Sequence, residues 1–250
     1  MAEARIGTSG WAYDEWRQEF YAGVPRRRWL EHCAEHFGAV EINATHYRLQ
    51  RRSTLERWRH AVPPDFRFAL KAHRYLTHVR RLRDPFEPVR RDRERAEALG
   101  SQLAAVLWQL PARFAFDDER SERLDRFLDA LTTSWPARHA LELRHRSWFR
   151  SDVAARLTDH GVSSCLSHAA DWPMWEAVTA DFVYVRLHGH PHTYASPYGL
   201  RGLRPWARRV QGWLDEGRDV LVFFDNDAGG AAPRDATSLI ELLHRDGSES

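Results

Sequence analysis

The segment FVYVRLHG (182–189) alternates with a period of two: Val183, Val185 and Leu187 share one face, and Tyr184, Arg186 and His188 the other. Successive side chains of a strand point to opposite faces, so this is a strand with one apolar face and one face that turns charged toward its end. The pattern recurs. In VEIN (40–43), Val40 and Ile42 oppose Glu41 and Asn43; in FALKAH (68–73), Phe68 and Leu70 oppose Lys71 and His73; in LELR (141–144), Leu141 and Leu143 oppose Glu142 and Arg144. Short apolar runs of this kind fall at 5–8, 39–43, 67–72, 103–109, 139–144, 162–166, 182–188 and 219–224.

Helical patterns lie between most of them, at 26–37, 53–62, 88–99, 121–131, 151–160, 206–215 and 232–244. In the first, Trp29, Leu30, Cys33 and Phe37 recur at helical spacing. Ser53 with Glu56 three residues on has the form of a capping box, and Ser151 or Asp152 is a candidate cap for the helix that follows. The weak link is 171–180, short and interrupted by Pro173. Eight strands alternating with helices over 250 residues predict a (β/α)8 TIM-type barrel, one α/β domain over 1–250, with a frayed tail at 245–250. A doubly wound open sheet is the competitor, but GTSG (7–10) is too short for its glycine-rich fingerprint.

Bulk properties exclude several classes. A net charge of +2 is no argument for a nucleic-acid partner. Two isolated cysteines, Cys33 and Cys165, form neither a metal spacing nor a disulfide framework, which suits a reducing cytoplasm. No leader-like or membrane-spanning apolar run is visible, so no membrane partner is expected. One feature stands apart: among 37 basic residues, Lys71 is the single lysine. Arginine is always charged, whereas lysine is a point charge whose pKa moves with burial.

A TIM-type barrel carries its site at the C-terminal ends of its strands. The polar faces named above converge there, joined by Gln109 at the end of strand four and by Asp225, Asn226 and Asp227 after strand eight. Charges inside a barrel need partners or a ligand. Lys71, Arg144 and Arg186 suit a phosphate or carboxylate. Glu41, Glu142 and His188 are the acid–base candidates, His188 first because histidine titrates nearest neutral pH. Trp11, Tyr13, Tyr47, Trp148, Tyr194 and Tyr198 follow strand ends and suit a ligand ring, or the sealing of the barrel top.

The expected function is therefore an enzyme, a hydrolase or isomerase, acting on a small phosphorylated or carboxylated molecule. HGHPH (188–192) invites a metal reading, with His188, Glu142 and Asp225 as the set, but its spacing matches no zinc motif and no cofactor is assigned. Glu41 and Glu142 are also the two carboxylates a glycosidase would need. The non-enzyme alternative is a nucleic-acid or nucleotide-binding protein using aromatics and the basic runs RRLR (80–83) and RRDRER (90–95), in which Asp92 and Glu94 are interleaved.

Seven segments together resemble a known family. GTSGWAYDEW with FYAG, VEINATHY, FALKAH followed by Thr77–His78, LWQLPARF, ELRHRSWF, YVRLHGH and VFFDNDAGGAAPRDA are similar, in this order, to the YecE-like family, domain of unknown function 72. The resemblance spans about 5–243 and implies a TIM-type barrel but little chemistry. Its pattern falls on Gly7–Trp11, Glu41, Asn43, Tyr47, Lys71, Thr77, His78, Gln109, Pro111, Glu142, Arg144, Trp148, Arg186, His188, Gly189, Tyr198 and Asn226. The chain departs from it at His46, where an aromatic is usual, and at Asp225, where an asparagine is usual.

Overall fold

In the computed structural model, which describes residues 1–246, eight parallel strands close into a barrel in chain order. They are β1 (Ala4–Ser9), β2 (Ala39–Ile42), β3 (Arg67–Lys71), β4 (Leu103–Gln109), β5 (His139–Glu142), β6 (Val162–His168), β7 (Phe182–Leu187) and β8 (Asp219–Phe224). The helices are α1 (Trp29–His36), the single turn α2 (Ala44–Tyr47), α3 (Arg52–His60), α4 (Phe86–Ala96), α5 (Asp118–Ser134), α6 (Ser151–Asp159), α7 (Gly199–Asp215) and α8 (Ala231–Asp246). Among the described residues no helix joins β6 to β7, which is where the proline-interrupted segment breaks the alternation.

The two faces of each strand separate as their periodicity predicts. Val40, Ile42, Leu70, Val106 and Leu141 pack outward beneath one set of helices, and Val183, Val185, Leu187, Val220 and Val222 beneath the other. Inside, Ala39, Ala69, Ala105 and Ala140 leave room for Phe182, Tyr184 and Phe223. Small residues on one wall and aromatics on the other fill the lumen, so the barrel is a plugged core and not a pore. Gly7 is required by close approach: a Cβ there would come within 1.8 Å of the Ala39 carbonyl oxygen. Register then sets Ser9 beside Glu41, Gln109 beside Glu142 and Ser167 beside Arg186, one polar layer above the plug.

Helix ends depart from expectation. α3 starts at Arg52, so Ser53 lies inside the first turn and caps nothing, and Glu56 pairs with Arg52 at 3.1 Å. Neither Ser151 nor Asp152 caps α6; Asp152 binds Arg150 and Arg156. A side-chain cap does form at α5, where Asp117 accepts the Arg120 backbone N–H. α7 begins seven residues before the predicted 206, because buried Leu203 extends its apolar stripe through Pro205. The tail predicted to fray is helical through Asp246, and 247–250 lie outside the described residues. Both cysteines are free and buried, and no described helix is long and apolar enough to cross a membrane.

Candidate functional site

Arg186, fully buried near the end of β7, organises the polar layer. Its Nη2 donates to Glu41 Oε1 at 2.8 Å and to Asp225 Oδ2 at 2.9 Å, its Nη1 to Glu142 Oε2 at 3.0 Å, and its Nε to Glu41 Oε2 at 3.1 Å. Three carboxylates from three strand ends thus share one guanidinium, whose planar fork lets it serve them together. Tyr184 and Ser9 donate to Glu41 as well, the former at 2.6 Å, and Ser167 donates to Glu142 at 3.0 Å. Burial alone would raise the pKa values of Glu142 and Asp225. Their cationic neighbours, Arg144 and then Arg186 for Glu142 and Arg186 for Asp225, outweigh burial and hold both carboxyls below the usual carboxylate range.

His188 lies in the same layer. Its Nε2 accepts from Arg186 Nη1 at 3.2 Å, and its Nδ1 stands 3.0 Å from Asp225 Oδ2 without hydrogen-bond alignment. Burial and the Arg186 charge lower its pKa, so the ring is neutral at pH 7. The set His188, Glu142 and Asp225, offered above for a metal, is taken up by Arg186; among the described residues, the trio with mutually close ligand atoms is His32, Glu35 and His36, on the surface of α1.

Above this layer opens a cavity of about 910 Å³. Of the residues singled out in the sequence, Trp11, Tyr13, Asn43, Tyr47, Lys71, Gln109, Arg144, Tyr194, Asp225 and Asp227 line it. The layer beneath contains four others, Glu41, Glu142, Arg186 and His188, all without surface exposure. Three more are elsewhere. Trp148 is sealed in the core, its indole N–H donating to the Phe114 carbonyl at 2.6 Å. Tyr198 contacts His168 Nδ1 at 2.7 Å beside a separate pocket of about 330 Å³. Asn226 ties the β8–α8 loop to Asp235 and the Ser196 carbonyl. These three belong to packing and loop geometry, not to the cavity wall.

The cavity wall carries polar groups with no protein partner. Lys71 is only 5 % exposed, yet its Nζ makes no hydrogen bond or ion pair among the described residues. Burial and the Arg186 charge lower its pKa to about 8, against the partial pull of Glu41, Asp225 and Glu142. Gln109, 8 % exposed, has an unpaired side-chain amide, and Asn43 Oδ1 and Asp227 Oδ1 are buried without partners. Burial and the neighbouring Asp225 push the Asp227 carboxyl up to about 8, so it is largely protonated at pH 7. Arg144 donates to Glu142 at 2.6 Å, stacks on Trp172 with its guanidinium 3.9 Å from the ring centre, and reaches Tyr194 at 3.4 Å.

A π-helical turn at Tyr75–Val79 follows β3 and brings His78 to the wall. His78 is held down to about 4 by burial, Arg74 and Lys71, and His46 to about 3 by burial and Lys71. Sequence reasoning put Tyr184 on the inward face and Asp227 after strand eight without a role for either, reached Ser9 only through the family pattern, and missed Ser167 and Trp172. Inward parity on β6 would have found Ser167.

A family model described as "Protein of unknown function DUF72" matches residues 5–250. The chain belongs to this family. It is 25% identical over 272 residues to the UPF0759 protein YunF of Bacillus subtilis (strain 168), covering 95% of this chain and 94% of that protein. It is 29% identical over 157 residues to the UPF0759 protein YecE of Escherichia coli (strain K12), covering 63% of this chain and 54% of that protein. The crystal structure of a DUF72 family protein from Thermotoga maritima MSB8 is similar with a TM-score of 0.87 and 25% identity, over 97% of this chain and 99% of that one. The resemblance read from seven segments and the TIM-type fold are therefore both correct for this DUF72 chain. Of its two departures from the family pattern, His46 faces the cavity and Asp225 binds Arg186.

The basic runs outside the mouth are paired in part, and Arg91 and Arg95 form no ion pair among the described residues. Arg90 binds Glu87 and Glu94, Arg93 binds Glu97, and Arg80 binds Asp84.

Proposed function

We propose that this DUF72 chain is a cytoplasmic enzyme, a hydrolase or isomerase, that binds a small phosphorylated or carboxylated substrate in the cavity at the C-terminal mouth of the barrel. The observation that carries this reading is Lys71: a buried ammonium that lines the cavity and has no partner in the chain. An unpaired buried charge is costly, and an anionic ligand relieves that cost. Arg144 and the rim residue Arg74 add positive charge. The buried carboxylates Glu41 and Glu142, and Asp225 on the cavity wall, are each offset by the Arg186 guanidinium. Asn43 and Gln109 supply neutral hydrogen-bonding groups for orientation. Two of the four arginines on α4, Arg90 and Arg93, are neutralised by acids of the same helix or the next turn, which weakens a nucleic-acid track there.

Titration calorimetry with inorganic phosphate and with citrate tests this reading. Lys71→Met is expected to weaken binding about tenfold to a hundredfold, the size of one lost charge-assisted hydrogen bond. Equal affinity in variant and wild type would overturn it, as would salt-dependent oligonucleotide binding that displaces the anion.

A further inference from the structure

We infer that Lys71 is a nucleophile that forms an imine with the carbonyl group of a small 2-oxo carboxylate. The inference rests on the reading of the mouth cavity as an active site. It goes further by assigning Lys71 a covalent role.

A lysine present only for neutralisation would be paired. Three carboxylates surround this one electrostatically, and Arg186 engages all three. The amine is left at the end of β3, withdrawn from bulk water but open to the cavity. Its depressed pKa leaves a usable fraction of free amine near neutral pH. Its carbonyl oxygen accepts from Thr45 Oγ1 at 2.7 Å, which fixes the strand end that carries it.

Two further wall residues complete the requirement. Arg144 uses its Nε on Glu142 and leaves Nη2 without a protein partner, placed to grip the substrate carboxylate. Asp227 offers a buried carboxyl oxygen with no partner, placed to give and recover a proton.

The step balances. The Nζ lone pair bonds to the carbonyl carbon, and the C–O π pair moves to oxygen. That oxygen collects two protons, one from Nζ and one from Asp227, and departs as water while the nitrogen pair forms C=N. The products are a protonated imine, the Asp227 carboxylate and water, with no change of oxidation state. The iminium then withdraws electrons from the α-carbon, which is the chemistry of an isomerase or a lyase.

The single lysine makes the test unusually clean. The protein is incubated with pyruvate or glyoxylate, reduced with sodium borohydride and analysed by peptide mass spectrometry. The expected result is a reduced adduct on Lys71, formed faster than on the N-terminal amine and lost after unfolding in urea. Lys71→Arg, checked for native circular dichroism, is expected to lose the adduct while the N-terminal background remains. Labelling of Lys71 no faster than in unfolded protein, with both compounds, would overturn the inference. A parallel titration with L-lactate, which has the carboxylate but no carbonyl, separates the two readings. Lactate or phosphate binding that needs Lys71, without trapping, sinks the imine and leaves the anion site standing. Neither binding nor trapping sinks both.

Discussion

The two ends of the barrel both hold cavities lined with charge, and they treat that charge differently. At the N-terminal end a cavity of about 550 Å³ is lined by Arg5, Arg67, Arg93 and Arg138 among others. Each of these meets a partner from the chain: Arg5 binds Glu3, Arg67 the Pro64 carbonyl, Arg93 Glu97, and Arg138 both Asp219 and Asp181. At the C-terminal end the carboxylates of the deep layer are equally well paired around Arg186, with His188 Nδ1 left unaligned, and the wall above is less satisfied still. Lys71, Gln109, Asn43 and Asp227 all present groups that the protein leaves unsatisfied. Volume and charge alone do not separate a structural cavity from a functional one. The amount of unmet hydrogen-bonding capacity differs: Arg5 Nε is the buried side-chain atom without a partner in the N-terminal lining, against groups on four residues at the mouth, and folding selects against such groups unless a ligand meets them.

The contrast is broken most severely at Arg186. Arg186→Met would leave three buried carboxylates without their shared cation, and a loss of about 3–5 kcal/mol is expected in urea unfolding. A milder outcome would mean that the deep layer is not the structural half of the mouth. A smaller effect sharpens the contrast at Asp227. Between about pH 4 and pH 8 the unfolded chain has released the Asp227 proton while the native chain retains it, so this group lowers stability as pH rises across that window. Asp227→Asn removes this slope. Relative to wild type it should gain up to a few kcal/mol at pH 8, at about 1.4 kcal/mol per pH unit of the window, and little at pH 4. Parallel stability–pH curves would show that Asp227 does not hold its proton. The smallest effect belongs to the opposite end. Asp219→Asn breaks a half-exposed pair with Arg138 and should cost about 0.2–1 kcal/mol, with anion affinity at the mouth unchanged.

The barrel was legible because strand faces alternate strictly. Val183, Val185 and Leu187 could only lie under helices if Tyr184, Arg186 and His188 pointed inward. The same parity put Lys71 at the mouth. What one strand cannot show is the depth its partners reach. Arg186 reads as a ligand-binding arginine until closure brings Glu41, Glu142 and Asp225 around it, from positions 145, 44 and 39 residues away in the chain. His188 reads as the acid–base residue by its ordinary pKa, and only the closed barrel shows that burial beside Arg186 lowers it. Trp148 follows a strand as a cavity aromatic would, but Phe114 draws it into the core. The helix caps were lost for a local reason: Arg51 and Arg150 take the N-cap positions, and the hydroxyls fall one or two residues late.

The Arg186 clamp also bears on how the chain reaches its native state. Its partners lie on β1, β2 and β5 and just after β8, so no subset of consecutive βα units can assemble it. A half-barrel would expose carboxylates with no counter-ion and an arginine with no acceptor. The clamp therefore rewards only the closed ring, and closure should be cooperative and late in folding, after the local units have formed. The same guanidinium that leaves Lys71 unpaired would then act as the latch of the barrel, so that the cavity exists only once the ring has closed.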